Sequence, residues 1–157
     1  MNDIEIIDNL LNIEEVDKIS SIMYGIDFPW YLNRVVTTQN YIQFVHIFYN
    51  DKINSSLYHI LMPIIKKLNF KNLIRIKANF LHRTDNIIEH GYHIDYENCV
   101  TAIFYLNSNN GKTVFQNGAE VESVKNRLVI FDSNLYHSGT TCTDQQFRCV
   151  INFNYSK

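Results

Sequence analysis

Four residues carry the chemistry legible in this chain: His93, Asp95, His137 and Arg148. His93 and Asp95 are separated by one residue. On an extended segment, positions i and i+2 point to the same side. One imidazole nitrogen and one carboxylate oxygen can then converge on a single ion. His137 comes 42 residues after Asp95, just past the apolar run Leu128–Phe131. If the strands between them fold back antiparallel, His137 supplies a third ligand. Two histidines and one carboxylate on one face of a metal such as Fe(II) leave three positions open. Taken singly, each of the six histidines reads equally well as a surface residue.

Arg148, eleven residues after His137, sharpens the pattern. Phe147, Cys149, Ile151 and Phe153 share one face of the last strand-like run. Arg148, Val150, Asn152 and Asn154 share the other. An arginine inside a packed strand needs an anion, because a buried unpaired charge costs several kcal/mol. Its guanidinium matches a carboxylate bidentately. The partner is either a structural Asp or Glu, or the far carboxylate of a dicarboxylate whose other end chelates the metal.

His93-x-Asp95, His137 and Arg148, in this order and spacing, resemble the Fe(II)/2-oxoglutarate-dependent dioxygenases, with the texture of the prolyl-4-hydroxylase-like branch. Val100-Thr-Ala-Ile-Phe-Tyr-Leu-Asn107 resembles that branch's strand after the first two ligands, and Asn126-Arg-Leu-Val-Ile-Phe-Asp132 fits the strand before His137. Asn110-Gly-Lys-Thr-Val-Phe115 resembles its Gly-Gly-Glu-Thr-x-Phe turn, departing at Asn110 and Lys112. The resemblance covers residues 73–155. It implies a mainly β double-stranded β-helix, or jelly roll, with N-terminal helices packed on one sheet.

The resemblance also implies a site. His93, Asp95 and His137 hold Fe(II); 2-oxoglutarate chelates the metal and is fixed at its far end by Arg148 and Tyr105; O2 is the other cosubstrate. Asn79 and Asn152, on the site's face of their strands, are assigned to the cosubstrate pocket. The implied reaction is hydroxylation with release of succinate and CO2. Halogenating relatives carry a small residue where Asp95 stands. Candidate substrates are a protein or peptide side chain such as proline, or a free amino acid, other small molecule or nucleobase. A non-catalytic jelly roll binding metal or 2-oxoglutarate, and a zinc hydrolase with the same ligands, are the competing readings. Only the hydrolase has no use for Arg148 and Tyr105 facing the metal.

These residues need elements to position them. Asn12 with Glu15 resembles a capping box opening a helix through Met23. Arg34 to Tyr49 reads as a strand or hairpin. Ile53–Leu68 reads as a second helix that Pro63 kinks or breaks. Strands are expected at Leu73–Leu81, Cys99–Leu106, Thr113–Gln116, Leu128–Phe131 and Phe147–Tyr155, between turn signals such as Asn117-Gly118 and Ser138-Gly139. In the first of them Arg75, Lys77 and Asn79 share a face, lining either the pocket or solvent. Lys66 to Arg83 contains six basic residues and no acid, read as a solvated helix end and strand edge or as a steering patch for an acidic substrate. His90 is assigned to a loop and not to the metal. Phe28-Pro-Trp-Tyr31 reads as a core anchor for the first helix, with an aromatic lid as the alternative.

The composition fits one globular domain over 1–157: 1–72 as support, 73–155 as the core with the site. Hydrophobic residues make up 46% and charged residues 19% of the 157, and the net charge of −2 excludes a nucleic-acid binder driven by bulk charge. No apolar run is long enough to span a membrane, and the acidic N-terminus does not read as a signal peptide. Three cysteines, odd in number, argue for a reducing, cytoplasmic setting. The chain stops directly after its last strand, leaving an edge or face that a second copy can cover.

Overall fold

Strict alternation in two long strands sets the architecture. The structure, a computed structural model, describes residues 4–33 and 42–157. In chain order the elements are β1 (Glu5–Ile7), α1 (Ile13–Met23), β2 (Tyr31–Asn33), β3 (Gln43–Asn50), a 3-10 turn (Ser56–Leu61) running into α2 (Met62–Ile65), β4 (Asn72–His82), β5 (Val100–Tyr105), β6 (Lys112–Phe115), β7 (Glu120–Glu122), β8 (Arg127–Asp132), β9 (His137–Gly139) and β10 (Phe147–Ser156). The part of the expected strand or hairpin over 34–41 lies outside the described residues.

A seven-stranded sheet, ordered β1-β8-β5-β10-β4-β3-β2, faces a three-stranded sheet, β7-β6-β9, and all pairings are antiparallel. This is the jelly roll expected from the sequence. On the outer face of the large sheet, Cys149, Ile151 and Phe153 of β10 join Ile76 and Ala78 of β4 and Phe104 of β5. They pack on Val16, Ile19 and Met23 of α1 and on Leu61 and Ile64. Each such aliphatic or aromatic side chain contributes about 1.5–3 kcal/mol on burial. The helices therefore buttress one sheet from outside, and Phe28 and Trp30, 4.9 Å apart, anchor there. Between the sheets a smaller cluster forms from Ile103, Tyr105, Val129, Phe131 and Val150 against Phe115 and Val121. The rest of that space is a cavity with a mixed polar and apolar lining.

Asn12 caps α1 reciprocally with Glu15, through contacts of 2.9 and 3.2 Å. The second helix is shorter than expected. Pro63 has no N–H to donate and fits only a helix's first turn, so α2 starts at Met62 and the preceding residues coil as 3-10. Ile53 instead bridges Tyr49. Asn126, at φ 67, uses its side chain as a clasp. Its amide donates to the Leu11 carbonyl at 2.8 Å and its oxygen accepts from the Leu11 N–H at 3.0 Å. No helix among the described residues is long and apolar enough to cross a membrane.

Candidate metal centre and adjoining cavity

β10 lies between β4 and β5, and its register decides what faces the gap between the sheets. Arg148 pairs with Leu81, Val150 with Asn79 and Tyr105, and Asn152 with Lys77 and Ile103. The alternation read from the sequence puts Arg148, Val150, Asn152, Lys77 and Asn79 on the wall of a cavity of about 250 Å³. Arg75 and Lys77, counted among the basic run, thus face inward and are not a solvated strand edge.

His93 and Asp95 sit on the long connection between β4 and β5. His137 opens β9, in the other sheet, rather than ending β8. A single backbone bridge joins the two histidines: each N–H donates to the other's carbonyl at 3.0 Å. Ligand atoms of His93, Asp95 and His137 all lie within 4.8 Å of one another. The rings are 4.9 Å apart, and His93 Nε2 is 3.8 Å from Asp95 Oδ1.

Both imidazoles are presented in one tautomer. His137 Nδ1 is 3.2 Å from the Leu135 carbonyl and His93 Nδ1 is 3.1 Å from that of Gly91. A carbonyl only accepts, which assigns the proton to each Nδ1 and leaves each Nε2 as a bare lone pair. His137 Nε2 is buried without a hydrogen-bond partner. Burial also pushes His137 below the usual histidine range, against the pull of Asp95, so the ring is neutral. An orphaned lone pair in a polar cavity, a second beside it and an ionised carboxylate form a donor set fitted to a divalent transition metal.

Burial alone would raise the Asp95 carboxyl. Arg75, His137 and His93 outweigh it and hold the group at about 2. The Arg75 ion pair is 2.9 Å long. Its guanidinium also donates to Asn154 Oδ1 at 3.1 Å and lies 5.0 Å from the centre of the Tyr96 ring. Asn152 Nδ2 approaches Asp95 Oδ2 at 3.4 Å. The side-chain oxygens of Asn152 and Asn79 are buried without partners.

Arg148 stands at the other end. It is 2% exposed, and no carboxylate among the described residues lies within ion-pair distance. Neutral groups hold it: Nε donates to Ser123 Oγ at 2.8 Å and Nη2 to Thr113 Oγ1 at 3.1 Å. Tyr105 does not line the cavity. It is fully buried behind the wall, donating to Thr113 Oγ1 at 2.7 Å, with the Arg148 guanidinium 5.6 Å from its ring centre. Thr113 thus has both lone pairs engaged, and its own hydrogen is left to donate into the cavity it lines. Two glycines clear the way for the arginine. A Cβ on Gly111 would meet Arg148 Cδ at 2.7 Å, and one on Gly139 would meet Nη1 at 3.3 Å. The sequence reading took both glycines as turn signals and did not single out Thr113 or Ser123.

His90 is a further cavity residue placed in a loop from sequence. It is buried, and burial, with Arg148, His93 and His82 adding, pushes it down to about 4. It is not among the three clustered ligands.

Two facing antiparallel sheets, with His137 on the smaller one and His93 and Asp95 brought beside it by the β4–β5 connection, define the class: a double-stranded β-helix with a site suited to a divalent metal. Solved structures fill in that class. An oxidoreductase of the 2OG-Fe(II) oxygenase family from Burkholderia pseudomallei superposes with a TM-score of 0.72 at 12% identity, over 98% of this chain and 84% of that one. A Trichoplax adhaerens prolyl hydroxylase, in complex with a hypoxia-inducible-factor peptide fragment, gives 0.65 at 17% identity, over 99% and 84%. The epimerase SnoN of nogalamycin biosynthesis, in complex with Fe3+, alpha-ketoglutarate and nogalamycin RO, gives 0.73 at 10% identity, over 99% and 79%. The chain has the 2OG-Fe(II) oxygenase fold, the fold of prolyl hydroxylases included. The sequence matches no family model and no curated protein.

Proposed function

We propose that this protein is an Fe(II)- and 2-oxoglutarate-dependent dioxygenase that hydroxylates its substrate. One observation carries the reading: three metal-ready donors share a small cavity with a buried arginine that has no acid of its own. His93, Asp95 and His137 would hold the metal. Arg148, with the Thr113 hydroxyl beside it, would receive the far carboxylate of 2-oxoglutarate. Tyr105 acts from behind by fixing Thr113. Asn79 and Asn152 offer polar side chains along the path between. When bound, Fe(II) and 2-oxoglutarate supply O2 activation, releasing succinate and CO2 and oxidising a substrate C–H bond. The chain's own work is to orient both carboxylates, aim both imidazoles through Nε2 and exclude bulk water. The prolyl hydroxylase likeness suggests a peptide side chain such as proline; a free amino acid or other small molecule is the alternative. A zinc hydrolase would leave Arg148 without a task.

The test is anaerobic. Fe(II) and then 2-oxoglutarate are added to metal-free protein, and the weak visible charge-transfer band of the chelate is expected. Iron binding with no band on adding 2-oxoglutarate overturns the proposal.

A further inference from the structure

The cavity carries a cation that the proposed reaction does not use. Lys77 lines the wall beside Asn152, its cross-strand partner on β10. Arg148 pairs with Leu81, four residues further along β4. At about 3.4 Å per residue, the backbone positions that carry the two cations stand about 14 Å apart along the strands. The metal donors cluster at the Lys77 end, because Asp95 touches Asn152 there.

No carboxylate among the described residues lies within ion-pair distance of the Lys77 ammonium. Among the described residues Asp95 is the sole acid lining the cavity, and Arg75 already pairs with it. Burial and the neighbouring Arg75 both push the Lys77 ammonium below the usual lysine range, with Asp95 opposing. This is a cation short of an anion.

The charge balance of the loaded site, which rests on the proposed function, shows what is missing. A divalent metal and a dicarboxylate cancel each other, as do Arg75 and Asp95. Arg148, fully buried, and Lys77, partly buried, remain, two positive charges with no acid paired to them among the described residues. Arg148 is saturated by the cosubstrate. We propose that Lys77 docks a carboxylate of the primary substrate, so that the enzyme acts on a carboxylic acid. The cavity is below the about 300–1,000 Å³ that encloses drug-sized ligands, and the cosubstrate must share it. A free amino acid or other small acid fits better than a bulky neutral molecule. The acidic side chain of a peptide offers the same chemistry from a second source.

The experiment uses the full chain loaded with Fe(II). First, the chelate band is titrated with 2-oxoglutarate in wild type, Lys77→Gln and Lys77→Arg. Both variants should show it, with affinity within about threefold of wild type, which also shows that they fold. Loss of cosubstrate affinity in Lys77→Gln on the scale of an Arg148 variant would assign Lys77 to 2-oxoglutarate and overturn the proposal. A wild type without the band is instead a failure of the proposed function itself. Second, succinate release is followed with free amino acids, the matching amino-acid amides, and end-blocked peptides with and without Asp or Glu. Stimulation should be confined to compounds bearing a free carboxylate. It should fall at least about tenfold (about 1.4 kcal/mol) in Lys77→Gln and recover in Lys77→Arg. Free acids against acidic peptides identifies the source. Stimulation by amides or neutral peptides, an unchanged response in Lys77→Gln, or no response to any acid in a protein that forms the band overturns the proposal.

Discussion

Two guanidiniums stand on neighbouring strands, one beside the candidate metal donors and one at the far end of the cavity, and they are held in opposite ways. Arg75 of β4 is partly exposed, paired with Asp95 at 2.9 Å and laid over Tyr96. Arg148 of β10 is fully buried among a serine, a threonine and a tyrosine ring, with no acid. The first charge is answered within the chain, where it keeps a ligand carboxylate ionised and in place. The second has no acid within ion-pair distance among the described residues, which is what a site for an external anion requires. Burial is therefore a poor guide to whether an arginine is structural. The identity of its partners decides.

Removing Arg148 is the strongest way to break the comparison. Arg148→Met should weaken 2-oxoglutarate binding by at least about 100-fold, as expected for deleting one partner of a desolvated, hydrogen-bonded charge pair. Metal affinity should change little. Gly111→Val should reach the same result without touching the charge, since its Cβ would lie 2.7 Å from both Arg148 Cδ and the Thr141 carbonyl. Chelate-band titrations measure both, and near-normal 2-oxoglutarate affinity in Arg148→Met would end the distinction.

Arg75→Met should act on stability first. It strands the Asp95 carboxylate, and breaking such a pair costs about 3 kcal/mol in the metal-free protein. A divalent ion then supplies the missing positive charge, so the rise in Tm on adding Mn(II) should exceed that of wild type. Equal shifts would show that Arg75 does not support the ligand.

Between these lies His90, pushed down to about 4 chiefly by burial. Its folded value is below its unfolded one, so the unfolded chain binds the extra proton. Stability is full above about pH 6.5 and declines as pH falls toward about 4, by at most about 1.4 kcal/mol per unit. Urea unfolding at pH 7 and pH 4.5 should show a smaller loss in His90→Gln. The mildest change is Gly139→Ala, whose Cβ would sit 3.3 Å from Arg148 Nη1. Cosubstrate affinity should fall by less than about tenfold, because the guanidinium needs to give only a few tenths of an ångström.

What the sequence made legible was whatever depends on alternation. The two faces of β4 and β10 follow from strand periodicity alone; that the face of Arg75, Lys77 and Asn79 turns inward follows only from the register with β10. The meeting of His93 with Asp95 follows from their spacing. Other features depend on chain crossings that no local pattern encodes. His137 belongs to β9, a strand of three residues in the other sheet, too short to show a period. Gly111 and Gly139 look like turn glycines until Arg148 is seen passing them. Tyr105 shares its strand's inward face with Ile103, yet its hydroxyl goes to Thr113 behind the cavity wall. The acid beside Arg75 is Asp95, twenty residues away along a connection without regular structure. Pro63 was read correctly as a break, but propensity alone did not show the turn before it winding as 3-10.

The backbone bridge between His93 and His137 sits in a longer seam. His90 N–H donates to the Gly139 carbonyl at 3.1 Å and Thr141 N–H to that of Ile88 at 3.0 Å, flanking a second bridge between Glu89 and Thr140. The loop joining the two histidines is therefore already closed by the peptide backbone, and the chain entropy of bringing them together is lost on folding and not on loading. An arriving ion closes no loop and folds no segment. Uptake and release then run at the pace of ligand exchange, and a chelator strips the centre while the seam stays intact. Occupancy of such a preformed centre is expected to follow the free metal concentration of its surroundings, with emptying and refilling that need no refolding.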